Sequence, residues 1–292
     1  MIQQVIVNGI VAASTILLVA LGFWLVFRVA GLFHFAHGAV FTLGAYLTFL
    51  FHAWIGFSLV ISIPLAIISA TLIGCLLELA IYRPIRHKGG SALVLLLASL
   101  GVYVVIQNLV SMVFGDDTES LRLGAVLKGI PIAGARITCI QVMTICVSGA
   151  LLTALEVFLR KTKIGKALRA VANDIELANV SGIEGDRIVL WAFGIGSALA
   201  SLAGILVAFD IDMTPTMGMN ALMVGIVAVI VGGEGNIAGV ALGALLLGLA
   251  RHLGVWNISS QWQDAITFVI LLAFLLVRPE GFTGKRVRNA VV

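Results

Sequence analysis

Residues 160–187 read RKTKIGKALRAVANDIELANVSGIEGDR, a polar and basic stretch between two apolar runs long enough to span a membrane. The stretch holds six basic residues against four acidic ones. Its apolar residues nevertheless recur at near-helical spacing, at Ile164, Leu168, Val171, Ile175 and Ala178. This pattern predicts short amphipathic helices with one face buried and the other free to bind a water-soluble partner.

The rest of the chain is too apolar for a water-soluble protein. Hydrophobic residues make up 61% of the 292 residues, charged residues only 11%, and the mean hydropathy is +1.14. A soluble domain of this size needs more polar groups to cover its surface, so the bilayer must be the solvent. The net charge of +4 is concentrated in a few loops, which fits orientation in a membrane better than binding to nucleic acid. No nucleic-acid partner is expected.

Apolar runs of about 20 residues, the length that a helix needs to cross a bilayer, divide the chain into spans. We place spans near residues 5–27, 36–54, 57–80, 92–114, 137–159, 188–211 and 262–278. Residues 219–250 are apolar but cut by glycines, and we interpret them as one span with a broken or re-entrant half. The first run lacks a basic leader and is expected to be a retained helix. The prediction is an all-α, polytopic membrane protein of about eight spans, forming a single domain over residues 1–292.

The positions of lysine and arginine predict which loops face the cytoplasm. The loop after the third run carries Arg83, Arg86 and Lys88 without an acid, and 160–187 is also basic. The C-terminal tail supplies Arg278, Lys285, Arg286 and Arg288 against Glu280, so the C-terminus is predicted to be cytoplasmic as well. Two connections are predicted to face the other side. These are 115–136, where Asp116, Asp117 and Glu119 are balanced by Arg122, Lys128 and Arg136, and 210–218, with Asp210 and Asp212.

The sequence lacks the motifs of an enzyme or a metal protein. Cys75, Cys139 and Cys146 lie in apolar runs without a CxxC motif or a nearby histidine, so neither a disulfide nor a metal site is expected. No GxxxxGK[ST], HExxH or GxSxG string occurs. The GxGxxA string at 233–238 lies in a membrane-depth segment and does not follow a strand. We therefore expect neither an ATPase site nor a cofactor site in this chain.

Small residues predict close packing between helices. Gly235, Gly239 and Gly243 recur every four residues, which would place them on one helix face and let a neighbouring backbone approach. Ala200 with Gly204, and Ser197 with Ser201, offer a second face of this kind. Such faces suit helices that move past each other, although static packing would use them equally well.

Polar residues within the apolar runs are the candidates for a solute path, because burial in hydrocarbon is costly unless they pair or line a wet path. The candidates are His34, His37, Gln107, Asn108, Asn220, Glu234 and Asn236. The two side chains at 107 and 108 could hydrogen-bond a passing amino acid or amide, or could bond between helices. The histidines are three residues apart. Structural hydrogen bonding is favoured over a metal pair for them, because no carboxylate or cysteine lies within two turns.

Three strings carry a resemblance to a known family. They are GLFHFAHGAVFTLGAYLTF at 31–49, TKIGKALRAVANDIELANVSGIEGDRI at 162–188 and GGEGNIAGVALGALLLGL at 232–249. In order and spacing they resemble the signature regions of LivH/LivM-type permeases, the membrane subunits of branched-chain amino acid ABC importers. The middle string is the most specific of the three, through Gly165, Lys166, Arg169, Ala170, Ala178, Gly182, Ile183 and Arg187.

The resemblance implies that 160–187 is a coupling region that sits in a cleft of a cytoplasmic ATPase. It also implies two ATP-binding subunits, which would hold ATP and Mg²⁺, a second permease subunit of the same or another kind, and an external substrate-binding protein. A bacterial inner membrane, with contact to its lipids, is the expected location. The residues of the loop independently predict a compact helical knob. Asn173 and Glu176 have capping-box spacing for a second helix, Gly182 is placed to end that helix, and Gly165 is expected to break the chain before the first.

The chain departs from that family at segments that the resemblance implies form the pore or gate. His34 and Ala39 stand where related permeases carry Asn and Glu, Glu234 replaces an apolar residue, and Asn220 stands where members often have Lys. Branched-chain or other hydrophobic amino acids are the first prediction for the solute. Urea, a short-chain amide or another small polar solute is the alternative. An ion-coupled secondary transporter is the rival mechanism, with Glu78, Glu156, Glu234 or Asp264 as proton sites, but such a carrier does not need a coupling region.

Overall fold

The structure is a computed structural model that describes residues 2–121, 129–132, 134–256 and 259–284. Its helices are α1 (Ile2–Ala30), α2 (Ala36–Phe49), α3 (Leu59–Leu77), α4 (Arg83–His87), α5 (Ala92–Phe114), α6 (Cys139–Lys161), α7 (Lys163–Asn173), α8 (Ile175–Val180), α9 (Gly185–Asp210), α10 (Met217–Gly232), α11 (Ile237–Gly254) and α12 (Gln263–Val277). Short π-helices, Leu50–Trp54 and Glu78–Tyr82, extend α2 and α3, and a 3₁₀ turn, Ser260–Trp262, precedes α12.

The helical, polytopic membrane fold is confirmed. Within the described residues, seven helical segments are long and apolar enough to cross a membrane, and α10 is a shorter apolar helix. The span predicted at 92–114 is α5, and most other predicted spans match a helix to within a few residues at each end. A small antiparallel hairpin, β1 (Ile130–Ile132) and β2 (Ala135–Ile137), precedes α6 and was not predicted. Five of the basic residues used in the charge argument lie outside the described residues: Arg122, Lys128, Lys285, Arg286 and Arg288.

Residues 219–250 form one helix long enough to span a membrane and a shorter apolar helix antiparallel to it, so the break that the glycines predict is present. A Cβ atom on Gly239 of α11 would collide with the carbonyl of Gly232 in α10, and one on Gly243 would collide with that of Ala228. The numbering of these pairs runs in opposite directions, so α10 and α11 form a helical hairpin. Gly235 lies in the exposed turn between them and not in α11. The predicted face of three glycines therefore contains two, because a turn residue cannot share the face of the helix that follows it.

The segment 278–284, which we name the C-terminal cap, closes the end of α10. The backbone N–H of Phe282 donates to the carbonyl of Val231 (2.9 Å), and the N–H and hydroxyl of Thr283 donate to that of Gly232 (3.1 and 3.0 Å). Carbonyls in the last turn of a helix have no partner within the helix, so the cap satisfies groups that would otherwise be left open. Gly281 makes this approach possible with a φ of 70°, and a Cβ atom there would lie 2.6 Å from the amide nitrogen of Gly233.

We expect Gly281→Ala to lower the melting temperature of the detergent-purified protein more than Gly31→Ala does. Both glycines have positive φ values, 70° and 66°, so both substitutions carry a left-handed strain of about 1–2 kcal/mol. Only Gly281 also faces a backbone atom at close range, whereas nothing lies within 4 Å of a Cβ atom placed on Gly31. Thermal unfolding followed by scanning fluorimetry makes the comparison. Equal shifts in the two variants would show that the cap contributes nothing to stability.

The chain divides into two compact units, each built from distant parts of the sequence. One contains Met1–Ala20, Lys128–Leu152 and Met223–Val292, and the other contains Leu21–Leu127 and Thr153–Leu222. The single permease domain over 1–292 stays a prediction. In the second unit, α9 packs against α2 and α3 through its small-residue face. The close approaches are Gly204 to Phe41, Ser201 to Gly44 and Ser197 to Gly74, and at each of these glycines a Cβ atom would collide with the residue across the interface.

Loops predicted to share one side of the membrane meet in the second unit. At the end of α9 that carries Asp210, the N–H of Glu119 donates to the carbonyl of Met213 (3.0 Å) and the N–H of Met213 donates back to Glu119 (2.8 Å). At the opposite end of α9, Arg83 pairs with Asp186 at 3.0 Å. The described parts of the two acidic connections therefore lie together, and the two basic loops lie together, as the charge pattern predicts.

Candidate functional site

Residues 162–187, which we name the knob, form two short helices and a tight turn. The hydroxyl of Thr162 begins α7 by accepting a hydrogen bond from the N–H of Gly165 (2.9 Å), and the carboxylate of Asp174 begins α8 by accepting one from Leu177 (2.9 Å). After α8, Gly182 adopts a φ of 83°. Its N–H and that of Ile183 donate back to the carbonyls of Asn179 and Ala178, both at 3.0 Å. This pattern of bonds is a Schellman motif, which reverses the chain toward α9.

Two details of the knob differ from the sequence prediction. Asp174 caps α8 in place of Asn173, because the short carboxylate reaches the free N–H groups of the first turn from the position just before the helix. Gly165 lies inside α7 and does not break the chain before it. Its lack of a side chain serves packing, since a Cβ atom there would collide with the carbonyl of Phe158 at the end of α6. Gly182 ends α8, where the sequence placed it.

The knob has an inner face and an outer face. Leu168, Val171 and Ala178 are buried, as the helical spacing predicts, while Lys166 and Arg169 are exposed. Ala170 and Ile183 are half-buried. Two apolar residues were missed by the sequence argument. Leu177 is 64% exposed and Val180 is 87% exposed, one helical turn apart on α8. Both residues are apolar and lie away from the buried positions, which is the pattern that could have identified them. Periodicity could not separate the two faces of α8, because a helix of six residues is too short.

Charged side chains join the start of α9 to the end of α3. Oδ2 of Asp186 accepts a hydrogen bond from Arg83 (3.0 Å) and lies 2.7 Å from Nε2 of His87, while Oδ1 accepts one from Arg86 (3.3 Å). Arg86 also pairs with Glu78, whose side chain is fully buried in the π-helical turn after α3. We name these five residues the ion-pair cluster. In the sequence, Glu78 is a lone acid in an apolar run next to a basic loop, which indicates that it needs a basic partner. Nothing in the sequence indicated that Asp186 on α9 would join the same cluster.

An open cleft of about 750 Å³ lies beside the knob. Its lining includes Arg83, His87, Asn179, Glu184, Asp186 and Arg187. Residues from α4, α8 and the first turn of α9 thus share one depression, which Ile175 and Leu190 also line.

His34 and His37 are fully buried in the second unit. Nδ1 of His34 lies 3.1 Å from the hydroxyl of Tyr82, and its ring packs against those of Phe193 and His37, with centroids 4.9 and 5.9 Å apart. Gly22 leaves the space that His37 occupies, because a Cβ atom there would lie 2.8 Å from the imidazole. The contacts are those of a packed polar cluster between helices. Among the described residues, no group of three or more His, Cys, Asp or Glu side chains could hold a metal ion.

The other candidates for a solute path belong to both units. The amide of Asn108 is exposed and donates to the carbonyl of Val104 in its own helix (2.8 Å), and Gln107 is half-buried. Asn220 is exposed in the first turn of α10. In the first unit, Glu234 and Asn236 lie in the exposed turn between α10 and α11, where the carboxamide of Asn236 caps α11 through the N–H of Ala238 (3.3 Å). Glu234 and Asn236 therefore lie in a turn and not within a helix.

Known proteins match nearly the whole length of this chain. Residues 5–275 match the family described as branched-chain amino acid transport system / permease component. The chain is 33% identical to the high-affinity branched-chain amino acid transport system permease protein LivH of Escherichia coli (strain K12), over 97% of this chain and 95% of that protein. It is 31% identical to the corresponding permease protein BraD of Pseudomonas aeruginosa, with the same coverage.

A solved structure has a similar fold. It is PsaBC from Streptococcus pneumoniae in complex with Fab, with a TM-score of 0.53 over 94% of this chain and 91% of that chain. The two sequences are 14% identical, so this likeness concerns the arrangement of the helices alone.

Proposed function

We infer the function of this chain from the fact that it belongs to the family of permease components of branched-chain amino acid transport systems. It is a multi-pass membrane protein. We propose that it forms the transmembrane path of an ATP-driven importer in a bacterial inner membrane, with its C-terminus in the cytoplasm. Its partners would be two ATP-binding subunits that hold ATP and Mg²⁺, a second permease subunit or a second copy of this chain, and an external substrate-binding protein.

The observation that carries this proposal is the outer face of the knob. Leu177 and Val180 expose apolar surface, and the basic residues Lys166 and Arg169 are exposed on the neighbouring α7. Exposed apolar residues rimmed by charge mark protein contacts, and a few central side chains supply most of the binding energy. A groove with an apolar floor and acidic edges in a soluble ATPase subunit fits this face. The charge pattern supports a cytoplasmic location for the knob, where ATP is available.

Branched-chain amino acids are the solute class that we propose, because LivH and BraD are named for their transport. The alternative of urea or a short-chain amide rested on four departures from the residues usual in the family. His34 and Ala39 are buried and packed, while Asn220 and Glu234 are exposed. These positions favour local packing and surface roles for the four side chains, which weakens the argument for a different solute.

The small-residue contacts of the second unit suggest how ATP-driven movement would reach the solute path. Helices α2, α3 and α9 approach at glycines, so they interlock closely enough to move together as a block. Displacement of the knob, which continues directly into α9, would then rotate the block as a rigid body. Alternating access would follow from closure of the ATP-binding subunits.

The test is solute uptake into liposomes that contain this chain, its second permease subunit, the ATP-binding subunits and the binding protein. We expect uptake to require ATP and every one of these subunits. Gly182→Pro, which cannot adopt the φ of 83° or donate from its backbone nitrogen, and Arg169→Glu, which inverts an exposed charge, are expected to abolish solute-stimulated ATP hydrolysis while membrane insertion is kept. Lys88→Glu, an exposed charge inversion outside the knob, is the matched control and should keep stimulation.

Two results would contradict the proposed function. Uptake driven by an imposed ion gradient with this chain alone would identify a secondary transporter. Normal stimulation of ATP hydrolysis in both knob variants would remove the coupling role.

A further inference from the structure

The end of α3 continues into a π-helical turn, which has no role in the proposed function described above. In the π-helical turn Glu78–Tyr82, the N–H of Arg83 donates to the carbonyl five residues back, at Glu78. Such turns are rare and often lie at functional sites. Glu78 and Tyr82 are both fully buried, and they contact different partners. Glu78 pairs with Arg86, and the hydroxyl of Tyr82 lies 3.1 Å from Nδ1 of His34.

Arg86 connects two carboxylates that belong to different helices. One terminal nitrogen of its guanidinium lies 3.3 Å from Asp186 of α9 and also pairs with Glu78 of α3. An ion pair is the expected condition of a carboxylate that is fully removed from solvent, since an unpaired charge there is very costly. A movement of Arg86 is therefore expected to move Glu78 with it. Arginine suits this position because its planar guanidinium presents several donors in fixed directions, whereas lysine offers a single compact charge.

Asp186 lies at the end of the knob, next to a residue that α8 holds in place. The side-chain oxygen of Asn179 in α8 accepts a hydrogen bond from the N–H of Gly185 at 2.9 Å. A Cβ atom on Gly185 would lie 2.8 Å from Ile175, so α8 and the start of α9 are in close contact. A displacement applied to Leu177 and Val180 on the outer face of α8 therefore reaches Asp186 without passing through a flexible connection.

We propose that Glu78, Arg86 and Asp186 form an ionic latch that transmits movement of the knob to α3, and through Tyr82 to the buried cluster at His34. The three are positioning residues, and the proposal rests on the coupling role of the knob. An apolar contact between α3 and α9 would stabilise the fold at lower desolvation cost, whereas an ion pair fixes the direction and register of the contact. The latch is therefore the part of the α3–α9 contact that couples movement of the knob to movement of α3. The glycine contacts farther along these helices hold the two helices together.

The experiment uses the complete transporter and measures solute transported per ATP hydrolysed. Glu78→Gln, Arg86→Lys and Asp186→Asn are each expected to lower this ratio by about tenfold, while co-purification of the ATP-binding subunits is kept. Asp186 is partly exposed, so Asp186→Asn keeps the test valid if a change at the buried Glu78 impairs folding. The matched control is Asp264→Asn, which removes the ion pair with Arg251 (3.0 Å) between α11 and α12 and should leave the ratio unchanged.

A double variant separates a latch from three independent contacts. If Glu78 and Asp186 act as one unit through Arg86, Glu78→Gln combined with Asp186→Asn should lower the ratio no further than either change alone. Multiplying effects in the double variant, or a normal ratio in all single variants, would overturn the latch. Neither result would touch the proposed function, which fails separately if the unaltered complex shows no solute-stimulated ATP hydrolysis.

Discussion

Gly204→Val is expected to prevent folding of the permease, with a loss of about 3 kcal/mol or more. In the structure a Cβ atom on Gly204 would collide with the carbonyl of Phe41, so α9 and α2 could pack only after one backbone moves. A backbone carbonyl cannot rotate away as a flexible side chain can. The measurement is the yield of monodisperse protein after detergent extraction, followed by size-exclusion chromatography, together with the melting temperature of what remains.

Gly101→Val is the control for this prediction. Gly101 lies in the middle of α5, and nothing lies within 4 Å of a Cβ atom placed on it. The substitution adds the same atoms to a helix of similar length, but on a face with open space around it. Its yield and melting temperature are expected to match those of the unaltered protein. If Gly204→Val proves equally stable, the contact between α9 and α2 is looser than the structure shows.

Replacing both Leu177 and Val180 with glutamate is expected to weaken binding of the ATP-binding subunits by roughly a hundredfold, because two central apolar contacts are lost. Both side chains are more than half exposed, so the fold of the knob should tolerate the change. Solute-stimulated ATP hydrolysis should disappear at subunit concentrations that saturate the unaltered complex. Affinity is measured by titrating labelled ATP-binding subunits onto the permease in lipid nanodiscs.

The control for added negative charge is Asn173→Glu, at the exposed end of α7. It alters the electrostatics of the knob without removing apolar surface and should change the affinity by only a few-fold, the usual size of an effect at the rim of an interface. Equal weakening by both variants would mean that long-range charge dominates, and that the apolar ridge on α8 is not the point of attachment.

Membrane-spanning segments were readable from the sequence because the bilayer fixes their length and polarity. The span predicted at 92–114 has the same bounds as α5. At 219–250 the glycines predicted a break but not where each helix would end. There a turn over residues 233–236 lets α10, of 16 residues, and α11, of 18, fold back on each other. Apolar composition cannot distinguish one interrupted helix from two short antiparallel ones, because both bury the same residues.

The knob was predictable in outline but not in its contacts. Helical spacing identified Leu168, Val171 and Ala178 as buried, and local chemistry placed Gly182 at the end of α8. The bond between Arg86 and Asp186, however, joins residues 100 positions apart. Pairings of that kind depend on how α3 and α9 are arranged in space, which no local pattern encodes. A single sequence can indicate that an acid in an apolar run needs a counter-ion, but not which cation supplies it.

The cap at 278–284 also constrains the order of events during biosynthesis. The carbonyl of Gly232 receives its hydrogen bonds from Thr283, a residue 51 positions later in the chain. At ordinary rates of translation the ribosome needs roughly three to ten seconds to add that length. Until then, the nascent hairpin of α10 and α11 presents unpaired carbonyls. A chain truncated before the cap would keep the carbonyls of Val231 and Gly232 without these partners.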